Sequence, residues 1–359
     1  MASILHWIDI RRPGKDTNPD DAFWQTRILA EGDSWFTLGG LPEQCNLLQS
    51  LTLPNRTIIV SLAKPGDTIR SMAEIWKNQA LHQAMDAGPP KFGSDWDLIL
   101  LSGGGNDLID YAKDLIKPIA EVNGNNPADF VRLDRLAIVL DYIQQAYRNI
   151  IGLRDGPHST CSGKPVVTHT YDHATPRDAP AKFFGAKIKG PWLFRAFVDA
   201  GAPENLFIGV ADFLIDALAD AILALEHGAN PLPNFHVVDT RGTLQRSALG
   251  TTGNDGDWLN EIHPNRGGYD KRATRGRRLP ALRLFGRSRT TLRGDSRESS
   301  GQHIVCRSLE SPPGPQGRAG PKYGLRKDME SYAVMTKRSR QPRGRTTRST
   351  GRGQKRRAG

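Results

Sequence analysis

Apolar residues recur along this chain in two alternating rhythms. Short uninterrupted runs stand at Ile28-Leu29-Ala30, Ile58-Ile59-Val60, Leu98-Ile99-Leu100-Leu101, Val166-Val167 and Val237-Val238. Continuous runs of this length suit strands buried on both faces, as in a parallel sheet covered by helices. Between them, apolar positions return every three or four residues, the spacing of a helix with one packed face. In 68–87 the repeat is Ile69, Met72, Ile75, Trp76, Ala80 and Ala84, with Asp67 or Thr68 placed to cap it. Further long helices are predicted over 130–153 and over 204–226, the latter after Pro203, and a short one over 267–275. A Pro42-led helical segment is expected after Gly39-Gly40, and 1–23 reads as a polar lead-in. Five strand–helix alternations imply right-handed crossovers and a mainly parallel five-stranded sheet in an α/β fold.

Two stretches break the rhythm. Residues 171–202 are irregular and carry Phe183, Phe184, Trp192, Phe194 and Phe197, an aromatic cluster read as core in preference to lid. From Arg275 onward the chain is rich in Arg, Gly, Ser and Pro, with no sustained apolar period. Such a segment buries too little apolar surface to offset its ordering entropy.

Charge sharpens that boundary. Of 49 Lys/Arg and 38 Asp/Glu, 23 and 5 lie from Arg275 to the end, so this tail carries +18 and the first 274 residues −7. The overall +11 is therefore a property of the tail and says nothing about what the globular part binds. The expected organisation is a lead-in over 1–23, a globular domain over 24–274 and a basic low-complexity tail over 275–359. Two readings compete for the tail: a disordered arm for nucleic acid, or an out-of-frame continuation of a last helix cut short. The abrupt change of composition inside that helix favours the second. Nucleic acid is an expected partner only if the tail is genuine.

Cys45, Cys161 and Cys306 are odd in number and far apart, which fits neither a disulfide framework nor a zinc site. No apolar run reaches the roughly 18 residues of a membrane span, and no signal-peptide pattern opens the chain, so a cytoplasmic protein is expected. Neither a clustered His/Asp set nor a phosphate-cradling loop is present, and Gly103-Gly104-Gly105 lacks the spacing of a dinucleotide loop. No cofactor and no metal are expected.

Four short motifs carry the chemistry. Gly32-Asp33-Ser34 follows the first strand run, Gly66 the second, Gly105-Asn106-Asp107 the third, and His263 comes after the fifth. In an open parallel sheet, loops at the carboxyl ends of the strands converge on one crevice. Ser, Gly, Asn and His blocks in this order resemble the SGNH (GDSL) hydrolase family, over roughly residues 27–273. The resemblance implies a three-layer α/β/α sandwich of flavodoxin-like type and hydrolysis of a small-molecule carboxylic ester through an acyl-Ser34 intermediate. It further implies His263 as base and then acid, and an oxyanion hole of the Ser34 N–H, the Gly66 N–H and the Asn106 side-chain amide. A serine hydroxyl needs such a base, and a tetrahedral oxyanion needs such donors.

One position departs from the family pattern. Three residues before the histidine the family usually carries Asp; here stands Asn260, which can accept from the imidazole but brings no charge. Asp257 and Glu261, with Asp255, are alternative carboxylates, and spacing ranks Asn260 first and Asp257 next. This departure keeps two other functions open: an O-acyltransferase or carbohydrate deacetylase using the same nucleophile, and a binding protein of the same fold with impaired turnover. Asp33 and Asp107 read as loop braces. Tyr171, Asp172 and His173 read as structural or substrate-contacting, and His169 as buried in its strand.

Overall fold

A computed structural model of the chain describes residues 8–11, 18–37, 45–53, 56–87, 93–183 and 186–276. The chain divides into two compact units, Met1–Thr291 and Leu292–Gly359, and every described residue lies in the first. The expected Pro42-led segment, Phe184, Cys306 and the tail beyond Gly276 lie outside the described residues.

The five expected strands form as β2 (Thr26–Gly32), β3 (Thr57–Ser61), β4 (Leu98–Ser102), β5 (Val166–His169) and β8 (Phe235–Val238). A sixth, β1 (Ile8–Arg11), falls in the stretch read as a lead-in and pairs parallel to β3, Ile8 opposite Thr57 and Arg11 opposite Val60. Its four residues alternate apolar and charged, which suits an edge strand but is too short to stand out from a polar context. The sheet runs β1-β3-β2-β4-β5-β8, all parallel. Every residue of β3, β4 and β5 is buried, which is what their unbroken apolar runs require. Between β5 and β8 in the chain, β6 (Ala181–Phe183) and β7 (Ala186–Lys189) make a separate antiparallel hairpin inside the stretch read as irregular.

Chain order reverses at β2: the step to β3 goes one way along the sheet, and β4, β5 and β8 follow the other way. Right-handed crossovers then put the two sets of helices on opposite faces. On one face α1 (Leu47–Ser50) packs with α9 (Arg266–Gly276). On the other are α2 (Ile69–Ala73), α3 (Gln79–Met85), α4 (Gly105–Asp110), α5 (Ala112–Leu115), α6 (Leu133–Arg154), α7 (Leu193–Ala200) and α8 (Phe207–His227), packed on one another. The result is the three-layer α/β class expected. The crevice between β2 and β4 is its topological switch point, where ligands of such sheets sit.

The helix expected over 68–87 is two helices. Thr68 caps α2 and Asn78 caps α3, each side chain accepting from a backbone N–H three residues on. Asn78 is buried and its Nδ2 donates to Glu31 Oε2 at 2.7 Å, so the break is pinned to the sheet. Ile75 and Trp76 therefore leave the packed stripe: Trp76 is 86% exposed. Of the aromatic cluster, Phe197 is buried in the core and Phe194 packs against it from a half-buried position.

No described helix is long and apolar enough to cross a membrane. Among the described residues no group of three or more His, Cys, Asp or Glu is placed to hold a metal ion, and Cys45 and Cys161 are buried and form no disulfide.

Candidate active site

Beyond Gly32 the chain turns at once. Asp33 N–H still donates to Ser102 O of β4, while Phe36 N–H and Thr37 N–H turn back to Asp33 O and Ser34 O. Asp33 holds the turn from inside: Oδ1 accepts from Trp35 N–H at 2.9 Å and from Ser102 Oγ at 2.9 Å, and Oδ2 accepts from Tyr171 OH. Burial pushes its pKa up to about 6, although these three donors favour the charged form. Asp33 is a brace, and Ser34 is left at the tip with its hydroxyl free of that network.

Ser34 Oγ lies 2.7 Å from His263 Nε2, across 229 positions of sequence. The histidine sits in a tight loop in which Leu259 N–H donates to His263 O at 2.9 Å. Buried Arg177 clamps that loop, donating to Asn260 O at 3.0 Å and to Gly253 O at 2.6 Å. His263 Nδ1 lies 3.0 Å from Asn260 Oδ1, which also accepts from Ile262 N–H at 3.1 Å and His263 N–H at 2.9 Å. Two backbone donors fix which end of the amide faces the ring, since the NH₂ end would clash with both. Nδ1 must then carry the proton, and Nε2 is left as acceptor for the Ser34 hydroxyl.

Neither alternative carboxylate reaches the ring. Asp257 accepts from Gln245 N–H and pairs with Lys271 Nζ of α9 at 2.6 Å. Glu261 points the other way, accepting from the N–H groups of Trp192, Leu193 and Phe194 at the start of α7. Burial pushes its pKa up to about 7 against those donors. Asp255 accepts from Ala248 N–H and Thr251 Oγ1. Glu261→Ala is expected to destabilise the fold by about 3 kcal/mol, because it orphans three donors at once. Urea unfolding measures this.

Gly66 occupies the third position of a turn closed by Asp67 N–H to Lys64 O, with φ +79°, the arrangement of a type II turn that favours glycine. Lys64 N–H donates to Gly32 O, so this turn runs beside the Ser34 loop. Asn106 is the second residue of α4, and its Nδ2 donates to Asp67 O at 2.9 Å, tying the third motif to the second. Among the described residues no acceptor takes the other amide hydrogen of Asn106. Among the described residues the Ser34 and Gly66 N–H groups have no acceptor. The preceding Gly105 is required by packing: a Cβ there would lie 2.7 Å from the Tyr171 ring. Asp107 accepts from Ile69 N–H at 2.8 Å and braces α2.

An apolar cavity of about 40 Å³ opens beside Ser34 and Asn106, walled by Leu108, Ile109, Leu193, Ile215, Leu218 and Ile262. Tyr171 and Asp172 also line it, but Tyr171 holds Asp33, and Asp172 accepts from the N–H groups of 242–244. His173 is turned to Asp216. His169 is buried, its Nε2 3.0 Å from Ser102 Oγ, as part of the support beneath Asp33.

Sequence reasoning missed the supports Ser102, Arg177 and Arg272, the last lying over the Trp35 ring at 4.3 Å from α9. It also missed two groups at His263. The Trp192 ring meets the imidazole edge-on at 5.7 Å. Burial, and after it the charge of Lys189, push the His263 pKa down to about 4. Trp192 stood out only as one of an aromatic cluster read as core, and Lys189 had no pattern to single it out.

No protein-family model matches the chain, and no curated protein matches it. Solved structures do resemble it. An acetylxylan esterase from Geobacillus stearothermophilus is 16% identical, covers 74% of this chain and 98% of its own, and gives a TM-score of 0.36. An alpha/beta hydrolase enzyme from the metagenome of Lake Arreo is 15% identical, with the same coverage and TM-score. The aryl esterase of M. smegmatis is 13% identical over 72% of this chain and 98% of its own, with a TM-score of 0.35.

Proposed function

We propose that the chain is a serine esterase that cleaves carboxylic esters through an acyl-Ser34 intermediate. The observation that carries this reading is the Ser34–His263–Asn260 relay, a nucleophile 2.7 Å from a base whose other nitrogen is held at 3.0 Å by a fixed acceptor. His263 takes the Ser34 proton as Oγ attacks the ester carbonyl, then delivers it to the departing alcohol oxygen. Water, activated by the same imidazole, releases the acid. The oxyanion is received by the Ser34 and Gly66 N–H groups and the uncommitted Asn106 amide hydrogen. The orientation of Asn260 favours an active enzyme over a fold that has lost turnover, because the tautomer it imposes is the productive one.

The cavity beside Ser34 takes the acyl chain. A water needs roughly 10–15 Å³ of this measure, so there is room for a short acyl group of a few heavy atoms. Asn106→Ala is expected to lower kcat by about 10²–10³-fold while KM changes little, as for loss of one oxyanion donor. Steady-state kinetics on p-nitrophenyl acetate read both constants.

The test of the reading is treatment of the full chain with a fluorophosphonate, followed by peptide mass spectrometry. One label on Ser34, with parallel loss of p-nitrophenyl acetate turnover, is the expected result. A folded protein that neither labels nor turns over would reject the reading. A domain that takes in β1 as well as 24–274, and a dispensable tail, are part of the same proposal.

A further inference from the structure

Ser34 has two different sides. The acyl side is the apolar cavity between α4, α7 and α8. The other side is bounded by the Gly66 turn, the Trp192 ring and Lys189, the last residue of β7. Lys189 is exposed, and its Nζ lies 3.6 Å from the point a Cβ on Gly66 would occupy. Among the described residues no carboxylate pairs with it. An ammonium at this point stands beside the proposed oxyanion donor and within electrostatic reach of His263.

For a neutral substrate that placement acts in two opposed ways: the ammonium favours the oxyanion but disfavours the imidazolium formed with it. As His263 takes the Ser34 proton it becomes an imidazolium, Asn260 supplies no countercharge, and a like charge nearby disfavours it. A substrate that brings its own anion to Lys189 removes the penalty. The alcohol is the half that leaves past His263, because its oxygen must receive the proton from Nε2. Its remaining atoms therefore lie among Trp192, Gly66 and Lys189.

We propose that Lys189 receives a carboxylate on the alcohol half of the ester, so that the substrate class is short-chain esters of carboxylate-bearing alcohols, with Trp192 as an apolar wall. This inference rests on the esterase reading. Lys189 acts as a point charge on a flexible stem, suited to an anion whose position differs between alcohols. At an exposed site such a pair is worth about fivefold in rate or affinity.

The experiment compares O-acetylmandelate with the uncharged O-acetylmandelamide in the full chain, with p-nitrophenyl acetate as control. Wild type is expected to favour the anionic ester about fivefold in kcat/KM, with the preference shrinking as salt is raised. In Lys189→Ala the anionic ester should fall about fivefold and the amide should change by less than about twofold, as the lost support of the oxyanion and the relieved imidazolium oppose each other. Lys189→Glu should invert the preference and Lys189→Arg keep it. An equal fall for both esters in Lys189→Ala, or no preference in wild type, overturns the proposal. Absence of p-nitrophenyl acetate turnover would instead fail the esterase reading, and this inference with it.

Discussion

Ser34→Ala is expected to lower kcat on p-nitrophenyl acetate by about 10⁶-fold, to the residue of activity that binding and oxyanion donors sustain without a nucleophile. His263→Ala should cost a similar factor, and the double variant little more than either alone, because the two groups act in one step. The physical basis is the single hydrogen bond between Oγ and Nε2, through which the hydroxyl is activated. Fold stability should hardly change in Ser34→Ala, since Asp33, Ser102 and Tyr171 carry the loop without the hydroxyl. Turnover of more than a tenth of wild type in Ser34→Ala would place the nucleophile elsewhere.

Asn260 yields the second large effect. Its Oδ1 takes three donors, so Asn260→Ala removes the acceptor that sets the imidazole tautomer and frees the ring to rotate away from Ser34. Loss of about 10⁴-fold in kcat is expected, the size seen when the third member of such a relay is disabled. Asn260→Asp works in the opposite direction. The buried imidazole has a pKa near 4 and is neutral, hence able to act as base, at all pH values above that. In the wild type, kcat/KM should therefore stay level from pH 7 down to about 5 and fall only as pH drops through about 4. An Asp in the same position keeps the acceptor and adds a charge that favours imidazolium. It should move the acid limb upward by about 1–3 pH units and raise kcat near pH 8. A pH–rate series on both proteins checks the sign. An acid limb that stays put would mean that His263 is not the group titrating.

Those two experiments concern residues of unequal legibility. Ser34, Gly66 and Asn106 stood out as candidates because each follows a strand run at the sheet's carboxyl edge, and His263, well past β8, stood out only as the last of four motifs in order. The choice among Asn260, Asp257 and Glu261 was not readable, because three acceptors within five positions differ only in where a compact loop points them. Lys271 on α9 draws Asp257 away and the first turn of α7 draws Glu261 away, leaving Asn260 at the ring. Both partners are distant from the loop's own pattern.

The chain by itself determined the α/β class, since continuous apolar runs and 3.6-residue repeats are local consequences of which faces must leave water. It also determined the order of the four loop motifs. Only the tertiary structure decided that the periodic stretch 68–87 breaks at Asn78, because the break is held by Glu31, 47 positions away in β2. The same holds for the edge strand Ile8–Arg11, which exists through its pairing with β3. It holds as well for Lys189, at the end of a hairpin whose sequence has no distinguishing period, and for Trp192 at the cap of α7, both brought to His263. Periodicity reports the contacts a segment makes with a core; it cannot report a contact between two side chains whose meeting depends on the path of everything between them.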